Sequence, residues 1–173
     1  MPWRMILDIV GFQLAWWASA LGAAAGHWQP GVAVGAAVIA VQLAMSGARA
    51  PLIGTVAAAA LIGIVAETAM VAGGLVTYAA VWPAAGMAPA WLVTLWMVFA
   101  TCIDSTARML GTNAMAKAIV LGAVVAPPTY WAGARFGALT LAEPSWPALA
   151  ALAVAWMIAM PLMLAIHGRL SGR

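Results

Sequence analysis

The stretch Pro51-Leu-Ile-Gly-Thr-Val-Ala-Ala-Ala-Ala-Leu-Ile-Gly-Ile-Val-Ala-Glu67-Thr-Ala-Met-Val-Ala-Gly-Gly-Leu-Val-Thr-Tyr78 decides what kind of protein this is. Its single charged side chain is Glu67. A helix needs about 20 apolar residues to cross a hydrocarbon core of about 30 Å, and this run exceeds that. Pro51 suits the first helical turn, where its missing N–H costs nothing. The surrounding chain is of the same kind. It has 173 residues, 66% of them hydrophobic and 6% charged, with a mean hydropathy of +1.05. Soluble domains carry about 25% charged residues. Seven basic and four acidic side chains cannot solvate a surface of this size. A cytosolic domain, a disordered chain and a disulfide scaffold are excluded, and the lipid bilayer is the expected solvent.

Apolar runs place spans at about 5–25, 31–46, 51–78, 90–110, 114–133 and 146–166, roughly 120 residues in all. The expected fold is an all-α membrane protein, a six-helix bundle forming one domain over residues 1–173. Pro127-Pro128 interrupt the fifth span, and Pro161 lies in the sixth. A barrel is disfavoured because the runs are continuous and alanine-rich instead of alternating. The opening segment has a positive start and Ala23-Ala24-Ala25, as in a signal peptide. Its apolar run is too long for an h-region and carries Asp8, so it is read as a retained span.

The basic residues set the expected orientation. Arg4, Arg49, Arg108, Lys117, Arg169 and Arg173 fall on one side, and only Arg135, in a loop with Glu143, falls on the other. The positive-inside rule then puts both termini in the cytoplasm. Trp28, Trp82, Trp91 and Trp146 gather near the opposite boundary as an aromatic belt. The cations are scattered singly, which argues against nucleic-acid binding. Cys102 is the only cysteine, so no intramolecular disulfide forms. Gly22/Gly26, Gly31/Gly35 and Gly133/Gly137 are read as close-packing pairs.

Glu67 is the strongest candidate for chemistry. It lies about 24 Å along its span, near mid-membrane or somewhat toward the outer leaflet. An ionised carboxylate is costly there, so Glu67 is expected to face the bundle interior. It is read as an acid/base, proton-relay or substrate-orienting group, or as a structural acid bonded to a neighbouring helix. Asp104 and Arg108 share one helix face at i,i+4, with Thr101 and Ser105 beside them. They read as a structural ion pair or as a head-group site in which Arg108 holds a phosphate or carboxylate and Asp104 orients it. Asp8, Gln13, Gln42 and Asn113 are expected to bond between helices, Asp8 with Arg108 among them, or to floor a polar cavity open to the cytoplasm. Gln13 joins Arg108, Thr101 and Ser105 as a candidate ligand contact.

No cofactor or metal is expected. His27 and His167 lie on opposite sides as interfacial residues, and no buried lysine suits a retinal Schiff base. Lys117 is read as a topology anchor. No dinucleotide, P-loop or nucleophile-elbow motif is present. Belts and packing account for most tryptophans, although Trp16-Trp17 and Trp91/Trp96 suit ligand stacking. The methionines read as core filler.

Several stretches resemble the bacterial inner-membrane family catalogued as domain of unknown function 2878. They are Phe12-Gln-Leu-Ala-Trp-Trp-Ala-Ser-Ala-Leu-Gly22, the buried acid Glu67, Leu95-Trp-Met-Val-Phe-Ala-Thr-Cys-Ile-Asp104-Ser105, Leu121-Gly122, Pro127-Pro-Thr-Tyr-Trp-Ala-Gly-Ala-Arg-Phe-Gly137, and Ala155-Trp156 with Pro161. The resemblance covers nearly the whole chain. It implies a small polytopic inner-membrane protein, of a family whose members resemble companions of lipid-modifying enzymes. In the family pattern an Asp is usual where this chain has Glu67 and an Asn where it has Asp104, and the second difference puts a shared role for Asp104 in doubt.

Three functions remain open on these grounds. The first is binding of, or action on, a lipid-like apolar molecule through the buried acid. The second is a small proton-coupled transporter or substrate-capture subunit. The third is a structural or assembly subunit of an oligomer or larger membrane complex.

Overall fold

The computed structural model describes residues 2–172. Met1 and Arg173 lie outside the described residues, and the Arg173 topology marker lies there with them. The described chain runs α1 (Pro2–Ala24), α2 (Gln29–Met45), α3 (Arg49–Ala72), β1 (Val76–Tyr78), α4 (Ala90–Thr101), α5 (Ile103–Leu110), α6 (Ala114–Phe136), β2 (Leu139–Leu141) and α7 (Trp146–Leu170). Helix α4 is the centre of the bundle, packed on α1, α2 and α3, while α7 packs on α3 and α6. The fold is all-α apart from the two short strands. Its outward faces are apolar: Leu61 and Val65 on α3 are 66% and 70% exposed. Such faces suit lipid, and the helices are those of a membrane protein.

Three helices, α1, α3 and α7, are long and apolar enough to cross a membrane, and α4 with α5 makes a fourth if the bent pair counts as one span. The expected six continuous spans are therefore not all present in that form. Helix α2 is apolar but only 17 residues long. Helix α6 has 23 residues, but Lys117 and the stretch Pro127-Pro-Thr-Tyr130 lower its apolarity. The expected span 90–110 breaks at Cys102, where α4 and α5 meet at 50°. There Cys102 N–H turns back to Phe99 O at 3.0 Å, and the Thr101 hydroxyl takes Val98 O at 2.7 Å. These local bonds compete with the helical ladder. The two prolines of α6, by contrast, are carried inside a continuous helix.

The span expected to run to Tyr78 ends as helix at Ala72. Strand β1 then pairs antiparallel with β2, Val76 opposite Leu141, Thr77 opposite Thr140 and Tyr78 opposite Leu139. Gly137 makes this pairing reachable. It closes α6 at φ 87, and Ala138 N–H returns to Gly133 O at 3.0 Å. That left-handed cap suits glycine and turns the chain back toward β1.

The opposite end of the bundle holds the starts of α1, α3 and α6 and the ends of α2, α5 and α7. Three of its cations cap helix C-termini, where they complement the dipole. Arg49 reaches Leu43 O and Ala44 O at 3.2 and 3.3 Å, Arg4 reaches Met45 O, and Lys117 reaches Leu110 O at 2.7 Å. Of the glycine pairs, Gly31 and Gly35 are buried contacts, packed on Ser19 and Thr94 respectively.

Candidate functional site

The buried stripe of α3 is Thr55, Ala59, Gly63, Glu67 and Met70, spaced to fall on one helix face. Gly63 prepares the place of the acid. A Cβ there would sit 2.6 Å from Trp96 Cγ, so only glycine lets the indole lie flush against α3. One turn further on, Trp96 Nε1 donates to Glu67 Oε1 at 2.8 Å. The Tyr130 hydroxyl donates to the same oxygen, and the Tyr78 hydroxyl donates to Oε2. Glu67 is 1% exposed, and its donors arrive from α4, α6 and β1. The carboxyl thus ties four elements together, five residues before α3 ends and about 7.5 Å from that end. Its burial agrees with the expected interior position.

None of these three donors was identified from the sequence. A signal for two of them was present: the chain has only 2 tyrosines, and both hydroxyls reach Glu67. A donor-bearing aromatic is the natural partner of a buried carboxylate, because it brings an N–H or O–H on an apolar body.

A second site occupies the opposite end of the bundle. A cavity of about 270 Å³ is lined by Arg4, Asp8, Gln42, Thr101, Asp104, Ser105, Arg108 and His167, among others. Arg108 pairs with Asp104 one turn earlier and donates to Ser105 Oγ at 3.2 Å. Asp8 receives Gln42 Nε2 at 2.7 Å, which joins α1 to α2 and replaces the expected Asp8–Arg108 pair. The geometry favours this because Asp104 already occupies the near side of the guanidinium. Thr101 lines the cavity while its hydroxyl serves the helix break.

His167 is packed inside the bundle end. It is 7% exposed, with Nδ1 3.0 Å from Thr55 Oγ1. That hydroxyl donates to Pro51 O at 2.8 Å, so it accepts from His167 and fixes a proton on Nδ1. The Nε2 atom then faces Asp104 Oδ1 at 3.8 Å and Ser171 Oγ at 3.4 Å. Hydropathy alone leaves a histidine near a helix end exposed, and the packing of α3 and α5 on α7 buries this one. Gln13 and Asn113 do not join the cavity: Gln13 lines an apolar groove, and Asn113 stands at the N-cap of α6.

That groove has three adjoining compartments, of about 210, 60 and 220 Å³, all lined by Phe12 and Phe99. The first lies toward the polar cavity, with Met5, Ile9, Gln13 and Met109. The other two share Thr129, Tyr130 and Trp156. Their wall is an aromatic ladder: Trp96 stacks on Trp156 at 4.3 Å, and Phe99 meets Trp156 edge-on at 5.2 Å. Gly122 permits this packing, since a Cβ there would meet Trp156 O at 2.3 Å. Glu67 does not line these compartments. It stands behind Trp96 and Tyr130, which do. The two acids belong to different sites: Asp104 comes eight residues after Trp96, beyond the break at Cys102.

A family model for the protein of unknown function DUF2878 matches residues 5–162. The chain belongs to this family. The DUF2878 match runs from α1 well into α7 and includes Glu67, all three of its donors, and the Asp104–Arg108 pair. His167 lies beyond it. No curated protein and no solved structure matches the chain.

Proposed function

We propose that this DUF2878 protein is a six-span protein of the bacterial inner membrane that binds a lipid-like apolar molecule in the groove along α1, α4 and α6. The observation that carries the reading is the groove itself: three compartments meeting at Phe12 and Phe99, closed by Tyr130 and the Trp96–Trp156 stack. Apolar, aromatic-lined clefts with a few polar groups are the usual form of small-molecule sites. Glu67 acts as a positioning residue. By accepting from Trp96 and Tyr130 it fixes the wall against which the ligand lies.

The orientation with both termini cytoplasmic is supported by the cations. Arg4, Arg49, Arg108 and Lys117 stand at one end of the bundle and Arg135 at the end bearing β2. Stacked Trp28 and Trp82, 4.5 Å apart, lie toward the Arg135 end, as an interfacial belt does. The packing of α2 on α4 and of α6 on α7 supports counting these two helices as spans as well.

The test is native mass spectrometry of the purified protein with its co-purifying lipids, beside Thr129→Trp, which fills the two compartments that share Thr129. The expected result is a bound apolar species that falls sharply in the variant while the melting temperature stays near that of the parent. An unchanged complement of bound molecules in Thr129→Trp refutes the groove as the binding site.

A further inference from the structure

We infer that the polar cavity binds the phosphate-bearing head of an amphiphile whose tail lies in the groove; this deepens the reading just proposed and rests on it. The two spaces share a wall. Asp8 and Ser105 line both the cavity of about 270 Å³ and the nearest groove compartment of about 210 Å³. A polar chamber beside a long apolar slot suits one amphiphilic molecule, head and tail.

The donor inventory of the chamber selects the head. Arg4 and Arg108 together carry ten N–H donors. Among the described residues, their hydrogen-bond acceptors are Met45 O for Arg4 and the Asp104 and Ser105 side chains for Arg108. These bonds use a minority of the ten donors, and a phosphate provides several oxygens at once. The carboxylates are differently placed: Asp8 is engaged by Gln42, and Asp104 by Arg108. Asp104 and Ser105 also hold the guanidinium plane in one orientation. A pre-set planar fork recognises phosphate better than a freely rotating ammonium does. The Arg108 side chain is 55% exposed, so the fork is accessible.

The experiment uses the full-length protein in detergent and three probes. These are dioleoyl phosphatidylethanolamine, dioleoylglycerol with the same tails and no phosphate, and inorganic phosphate alone. Retention per protein is read by native mass spectrometry, and stabilisation by thermal melting. The phospholipid is expected to be retained about tenfold better than dioleoylglycerol, the effect of one charged hydrogen-bonded contact. In Arg108→Gln that ratio falls toward one, while dioleoylglycerol still binds and the melting temperature holds. Arg108→Lys, which keeps the charge and loses the fork, gives an intermediate ratio. Equal retention of the two lipids by the parent protein, or an unchanged ratio in Arg108→Gln, overturns the head-group inference and leaves the groove reading standing. Failure of the parent to retain either lipid overturns both. Inorganic phosphate that stabilises as strongly as the phospholipid overturns the amphiphile in favour of a soluble anion.

Discussion

Glu67 and Asp104 are both acids within apolar runs, yet the bundle treats them in opposite ways. Glu67 is sealed, with three neutral donors closing on it from three other elements. Asp104 lies at the wall of an open chamber, its side chain 33% exposed, paired within its own helix to Arg108. The difference teaches what each arrangement is suited to do. A carboxyl whose donors are all aromatic side chains fixes the positions of those side chains. A carboxylate paired to a half-exposed arginine presents that arginine to whatever enters. The two regions are joined by the groove, whose far wall belongs to the first and whose mouth belongs to the second.

The comparison is broken most directly at Glu67. Glu67→Ala leaves two tyrosine hydroxyls and an indole N–H without their acceptor in a dry interior, at a cost on the order of 4 kcal/mol. Unfolding in detergent measures it. A loss below about 1 kcal/mol, the range of exposed ion pairs, would erase the distinction between the sealed acid and the open one. Next comes Gly63→Ala, which pushes the Trp96 indole off α3 and costs about 2 kcal/mol by overpacking. Because the indole then no longer reaches the acid, the Gly63→Ala and Glu67→Ala effects are expected to be non-additive in a double-mutant cycle. Simple additivity would show that Trp96 and the acid are not coupled.

Smaller effects sharpen the contrast. Tyr130→Phe removes one of the three donors and is expected to lower stability by about 1 kcal/mol. It should also shift tryptophan emission, since Tyr130 and Trp96 share one carboxyl oxygen. Asp104→Asn is expected to change stability least, by less than about 1 kcal/mol, because its side chain is 33% exposed and the Arg108 it pairs with is 55% exposed. Its effect belongs to head-group selectivity, read with the lipid pair above. A stability loss as large as that of Glu67→Ala would make Asp104 a second structural clasp.

Much of the fold was legible because hydropathy is local and additive. The long apolar helices, the isolated acid and the Asp104–Arg108 pairing at i,i+4 can all be read along a single helix. The helix break at Cys102 was not, since both of its halves are apolar or helix-forming by composition and the break lies in hydrogen bonds of Thr101 and Cys102. The β1–β2 pair was hidden because Val76-Thr77-Tyr78 continues an apolar run, and its partner strand lies beyond α6.

The site was less legible, because its chemistry depends on pairings far apart in the chain. The sequence by itself determined that the solvent is a bilayer and that an acid at position 67 must find donors or remain neutral, since an unpaired charge in that medium is too costly. Only the tertiary structure decided which donors those are. Trp96 lies 29 positions away, Tyr130 63, and the Thr55–His167 contact that buries the histidine spans 112. Hydrophobic burial does not specify such partners, because it acts without direction. Close helix packing at Gly63 and Gly122 does, since it sets which side chains can reach hydrogen-bonding distance.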